Sequence, residues 1–184
     1  MILPADFFAR DTLSVARELP GHYLYRRTPQ GIFRGIIAEV EAYHGPEDAG
    51  CHCAKGVTPR TRVMFGPPGH IYVYLIYGMY DMLNIVTMPD GFPAAVLIRG
   101  LLRPEFSTDG HHFEPLNKPA NGPGKLTRLF GIDRRLNTMP LGKETGLWVA
   151  RGLRPAKLKT TPRIGIDYAG AWKHKPWRFV IEKL

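Results

Sequence analysis

Residues 71–77, IYVYLIY, are β-branched or aromatic at every position except Leu75. Such side chains fit a pleated, half-buried surface, so this run is the strongest strand signal in the chain. What surrounds it narrows the fold further. The chain carries 20 Gly and 17 Pro in 184 residues, and they interrupt nearly every apolar stretch. That punctuation favours short strands joined by turns and disfavours a helical bundle.

The other elements follow from local signals. Residues 6–20 read as a helix or helix pair, with Asp6 and Asp11 as N-cap candidates and Pro20-Gly21 as the stop. Strands are predicted at 22–27 and 33–43, around a turn at Pro29–Gly31. Residues 44–70 read as loop. After the 71–77 strand and a turn at Gly78 come apolar runs at 82–87 and 94–99. Residues 104–121 are polar and read as a long surface loop. GPGKLTRLFG, 122–131, predicts a short helix with Pro123 at its start and Gly131 past its end. Two strands are predicted near 147–150 and 177–181. With no repeat and no linker, these elements predict one domain over residues 1–184. Its class is α/β (α+β), a curved and mostly antiparallel sheet with a few peripheral helices.

The charge balance names a class of partner. Lys and Arg total 25 against 16 Asp and Glu, a net charge of +9, and the sequence pI is about 9.8. An excess of this size suits a polyanion such as nucleic acid, although a basic surface alone is equally the mark of a protein that is merely basic. No stretch reaches the roughly 20 apolar residues of a membrane span. The N-terminus lacks the basic and apolar regions of a secretion signal. Cys51 and Cys53 are too few and too close for a disulfide framework, which fits a reducing cytoplasm. A zinc site at Cys51-His52-Cys53 is a weak alternative, because adjacent ligands lack the usual spacing. No metal and no cofactor is expected.

Alternation singles out the segment IIAEVEAY, 36–43. Ile36, Ala38, Val40 and Ala42 should face the core, and Glu39, Glu41 and Tyr43 should share the other face. An ordinary amphipathic strand would read the same way. So would a pair of glycosidase carboxylates at Glu39 and Glu41, or an acid set beside a stacked planar ligand. The tyrosines at 72, 74, 77 and 80 favour stacking on unpaired bases, the alternative being a Tyr-rich core strand. A non-catalytic nucleic-acid-binding module would share the charge and the rings, but would not need an acid on the same face.

Several motifs recur together: E-A-Y at 41–43, T-P-R-x-R-x-M-F at 58–65, Y-V-Y at 72–74, Y-G-M-Y at 77–80 followed by Asn84, G-P-G-K-L at 122–126, and RIGI, AGAW and KPWRF in the tail. In this order and spacing the chain resembles the alkyladenine (3-methyladenine) DNA glycosylase family over roughly residues 7–179. The resemblance implies a monofunctional glycosylase of base excision repair, acting as a monomer on double-stranded DNA containing damaged purines. It implies Glu41 as general base, with Arg99 and the backbone carbonyl of Ile164 helping to hold the attacking water. Tyr43, His52 and Tyr74 would sandwich the extruded base, and Asn84 would exclude the exocyclic amine of guanine. Tyr77 would fill the vacated space in the duplex, with Met79 and Tyr80 as its neighbours at the DNA surface. A bacterial-style minimal enzyme, cytoplasmic and nucleoid-associated, is the expectation that follows.

The chemistry has its own logic. Base–aromatic stacking is worth roughly 1–3 kcal/mol per base, so two or three rings could offset the few kcal/mol lost on extrusion. One carboxylate can deprotonate water and stabilise the sugar cation. The motif brings no lysine with Glu41, so water is the expected nucleophile, with no Schiff base and no strand cleavage. Lys125, in the first turn of the helix after Gly122-Pro123-Gly124, is the expected phosphate contact. Arg60, Arg62 and Arg128 read as solvated. Asp81 departs from the family pattern and, beside the turn at Gly78, should repel phosphate.

Overall fold

The computed structural model describes residues 1–184, and its spine is the long strand β2 (Gly31–His44). One edge of β2 pairs antiparallel with β5 (Ala94–Ser107). The other edge is shared, β1 (Tyr23–Thr28) pairing along Gly31–Ile36 and β9 (Arg178–Lys183) along Glu39–Glu41. Beyond β5 lie β4 (Tyr80–Val86) and β3 (Ile71–Ile76). Beyond β1 lies β7 (Leu147–Ala150), and β8 (Lys157–Thr161) extends the sheet past β9. A two-residue strand, β6 (Glu114–Pro115), pairs with the end of β5. Every pairing is antiparallel, so the α+β expectation holds.

Two short helices, α1 (Ala5–Phe8) and α2 (Thr12–Glu18), form the expected N-terminal pair. Asp11 caps α2 by accepting the Ser14 N–H at 2.8 Å. Asp6 does not cap: the N-cap of α1 is Pro4, and Asp6 lies in the first turn. Helix α3 (Pro123–Phe130) starts at its proline and ends at Gly131, whose φ of 61° is left-handed. Phe8, Val15, Leu19, Leu126 and Phe130 bury against Ile37, Val40, Leu83, Ile98 and Leu101 of the sheet, forming the main core. A smaller cluster of Cys51, Cys53, Met64, Tyr72, Val86 and Ala95 lies under the loop that follows β2. No helix is long and apolar enough to cross a membrane.

Three expectations need correction. Strand β5 runs to Ser107, so the surface loop predicted from 104 begins later; edge pairing to β2 and β6 holds this polar stretch as strand. Strand β8, KLKTT, carries no apolar alternation, and it forms because β9 offers a free edge. Within residues 44–70 two 3₁₀ helices form, at His52–Lys55 and Arg62–Phe65.

The pairing of β2 with β5 shifts register between Arg34 and Ile36 and again around Glu39. Ile37 faces Leu101, Glu39 faces Gly100 and Val40 faces Ile98. Ala38 is therefore extra on β2 and Arg99 extra on β5. Paired bulges of this kind bend a sheet and re-aim side chains. These two sit directly beside Glu39 and Glu41.

Candidate active site

The bulges turn Arg99 toward the two acids of β2. Glu39, Glu41 and Tyr43 do share a face, as alternation predicted, but that face is not solvated: Glu41 is 0% exposed. Its Oε2 accepts the Tyr43 O–H at 2.7 Å, and its Oε1 accepts the backbone N–H of Ile164 at 2.7 Å. The Nε of Arg99 stands 3.4 Å from Glu41 Oε1 and 2.8 Å from Glu39 Oε1. Glu39 Oε1 also accepts Arg178 Nε at 2.6 Å. Burial pushes the Glu41 carboxyl above its ordinary value, against the opposing pull of Arg99, the Ile164 amide and Tyr43. A carboxylate offers about four lone-pair positions. Tyr43 and Ile164 fill two of these and Arg99 stands 3.4 Å away, which leaves capacity for a further donor.

Beside this carboxylate opens a cavity of about 460 Å³. Tyr43, His52, Tyr72 and Tyr74 line it, with Asn84, Arg99, Ile164 and Tyr168. The His52 and Tyr74 rings meet edge to face, 4.6 Å between centroids. Tyr72, buried beside Tyr74, bonds His52 Nδ1 through its hydroxyl at 3.0 Å. Tyr72 thus supports the His52 ring from behind, where the sequence suggested only stacking on bases or a place in the core. Burial, with the nearby charges of Arg60 and Lys55, lowers the His52 pKa to about 4, so the imidazole is neutral at pH 7. Asn84 is buried, and its Nδ2 donates to the carbonyls of Tyr72 and Met82, each at 3.2 Å. No lysine lines the cavity.

The rim is built by the β3–β4 hairpin and the start of α3. Ile76 O accepts Met79 N–H at 3.2 Å, and the two residues between, Tyr77 and Gly78, have φ of 53° and 69°. Two positive φ values mark a type I′ turn. An aromatic residue is an uncommon occupant of the left-handed region, at a cost of about 1 kcal/mol or more. Here its ring stands out, 82% exposed. Met79 is also exposed. The Tyr80 ring lies on Gly124, where a Cβ would come within 2.6 Å of it. That close approach brings Lys125 beside the hairpin, its Nζ 3.2 Å from Asn121 Oδ1.

Of the site residues expected from the sequence, Tyr43, His52, Tyr74, Tyr77, Asn84, Arg99 and Ile164 line this cavity; Glu41 lies behind it, bonded to Tyr43 and Ile164, and Met79, Tyr80 and Lys125 lie outside the lining. Four details differ from expectation. Ile164 meets Glu41 through its amide N–H. Arg60 is not merely solvated, since its guanidinium lies 4.5 Å from the Tyr74 ring centroid. Asp81 turns toward Arg134, 3.5 Å away, so a cation offsets its charge. Cys51 and Cys53 are joined as a disulfide around His52. No group of three His, Cys, Asp or Glu side chains is arranged to hold a metal ion.

Sequence reasoning missed the fully buried ion pair. The side chains of Arg163 and Asp48 are both fully buried, with two hydrogen bonds of 2.6 and 2.7 Å. Arg163 also donates to Ala42 O at 2.9 Å, and its guanidinium lies between the rings of Tyr43 and Trp177, 4.8 and 5.1 Å from their centroids. Asp48 accepts the N–H groups of His44 and Gly50. The one available signal was the place of Arg163 at the head of the RIGI motif.

Comparison with known proteins agrees with this geometry. A family model described as methylpurine-DNA glycosylase (MPG) matches residues 6–184. Relatives include proteins from Methanocella arvoryzae (48% identical over 97% of this chain and 91% of its own), the Wolbachia of Brugia malayi (47%, over 98% and 97%) and Sodalis glossinidius (44%, over 97% and 95%). Each bears the name "Putative 3-methyladenine DNA glycosylase".

Proposed function

Because the chain belongs to the methylpurine-DNA glycosylase family, and is therefore a DNA glycosylase that hydrolyses N-glycosyl bonds, we propose that it extrudes a damaged purine from duplex DNA into the 460 Å³ cavity and cleaves it off with a water activated by Glu41. The observation that carries this reading is the fully buried carboxylate of Glu41, held against the wall of a cavity lined by rings. Burying a charge is costly, and such sites cluster where chemistry needs them.

In the proposed mechanism Tyr77 enters the duplex as the base leaves it. Tyr43, His52 and Tyr74 receive the base. The free acceptor position of Glu41 takes a proton from water as the C1′–N bond breaks, and the carboxylate opposes the positive charge growing on the sugar. Arg99 and Ile164 steady the water. Absence of a lysine from the cavity supports water as the nucleophile, so the product is an abasic site in an unbroken strand. A neutral His52 does not repel a cationic alkylpurine, and it has no spare proton with which to drive out a neutral one. Lys125, Met79 and Tyr80 hold the DNA around the opening.

The test is a panel of duplex oligonucleotides carrying hypoxanthine, ethenoadenine, 3-methyladenine or 7-methylguanine. Release of free base, with strand breaks only after alkali, is the expected result. No release from any of them overturns the proposal. The anchored amide of Asn84 supports a steric gate against the amine of guanine. Asn84→Ser is expected to raise excision of unmodified guanine relative to the preferred lesion by about tenfold, the worth of one lost contact of about 1.4 kcal/mol. Selectivity equal to wild type would remove Asn84 from that role.

A further inference from the structure

We propose that Glu39 is a positioning residue that holds Arg99 away from Glu41, so that the base keeps a cation beside it without being neutralised by it. The inference rests on the reading of Glu41 as the base. Its foundation is geometric. One arginine Nε serves two carboxylates, at 2.8 Å from Glu39 and 3.4 Å from Glu41, so the shorter contact belongs to the acid that does no chemistry. The bulges at Ala38 and Arg99 make the division possible.

Arg178 completes the device. Its Nε bonds Glu39 at 2.6 Å and its Nη1 bonds Thr161 at 3.0 Å, which fixes Glu39 from the β9 side. The groups around Glu41 are Glu39 and Tyr43 from its own strand, Arg99 from β5, Tyr74 from β3, Arg178 opposite it on β9, and the Arg163–Ile164 segment. Among the cations, only Arg99 touches the Glu41 carboxylate. If it closed to a full ion pair, the carboxylate would be a weaker base and its remaining acceptor position would be harder for water to reach.

Single-turnover excision measured against pH tests this. Loss of the Glu39 charge releases Arg99 toward Glu41. In Glu39→Gln the acid limb of the rate profile should therefore move down by about 1 pH unit. The plateau should fall about threefold as the base weakens. Glu39→Asp, which keeps the charge, should restore the limb toward the wild-type position. Arg178→Gln should move it the other way, because Glu39 then has Arg99 as its one arginine and one positive charge has gone from beside Glu41. Opposite shifts from two neighbouring substitutions are not what simple loss of packing produces, and Arg178→Gln carries the test if Glu39→Gln does not fold. Limbs that coincide with wild type in the folded variants overturn the role of Glu39. Glu41→Gln, run alongside, separates the two readings. If it still excises, the assignment of the base fails. If it is inactive while the limbs stay put, only the inference about Glu39 fails.

Discussion

Replacing Glu41 by Gln is expected to leave lesion-containing duplex bound while single-turnover excision falls by about 10²–10⁴-fold, the usual worth of a positioned general base. Gln has the shape of Glu and can still accept the Tyr43 hydroxyl through its oxygen, so the wall of the cavity should stand. What it cannot do is take a proton from water or oppose the charge on the sugar. Stability should behave in the opposite sense to activity. Burial raises the Glu41 pKa in the folded state, so the folded chain binds that proton more tightly than the unfolded chain does. Above the folded pKa the ionised carboxylate therefore lowers stability, and the penalty fades as the pH falls through that value. Glu41→Gln removes the penalty, so its melting temperature at pH 7 should equal or exceed that of wild type, and the gap should narrow as pH falls. Excision at near wild-type rate would remove Glu41 from the mechanism.

The second large effect is expected at Arg163. Arg163→Met leaves the Asp48 carboxylate fully buried with no cation beside it. Breaking a buried pair in this way costs about 3–5 kcal/mol. For a domain of this size that lowers the melting temperature by about 10 °C. Removing both charges, in Asp48→Asn with Arg163→Met, should recover part of the loss, since no orphaned charge remains. The pair ties together Ala42, His44 and Gly50, and Arg163 adjoins the residue whose N–H holds Glu41. The single variant should therefore also lose excision at temperatures where it is still folded. A melting temperature within a degree or two of wild type would mean that this clamp does not organise the site.

Local chemistry explains which elements could be read in advance. The β3–β4 hairpin, helix α3 and the cap of α2 each depend on neighbours a few residues apart: Tyr77-Gly78 at the turn, Pro123 and Gly131 at the ends, Asp11 before Ser14. Except at Tyr77, whose left-handed φ runs against its preference, the φ and ψ preferences of those residues hold wherever the segment ends up. Glu41 and Tyr43 were legible for a related reason, since a two-residue step along a strand sets them on one face. Strand β8 was not legible, because KLKTT has no pattern of its own and is ordered by β9.

The amino-acid sequence by itself determined most of the strand and turn rhythm, the ends of helix α3, the basic charge and the common face of Glu39, Glu41 and Tyr43. Only the tertiary structure decided that Glu41 is fully buried, that Arg99 is divided between two acids, and that Asp48 meets Arg163 across a separation of 115 residues. The physical reason is range. Backbone preference acts over three or four residues, whereas desolvation and ion pairing depend on which distant segments the curved sheet brings together.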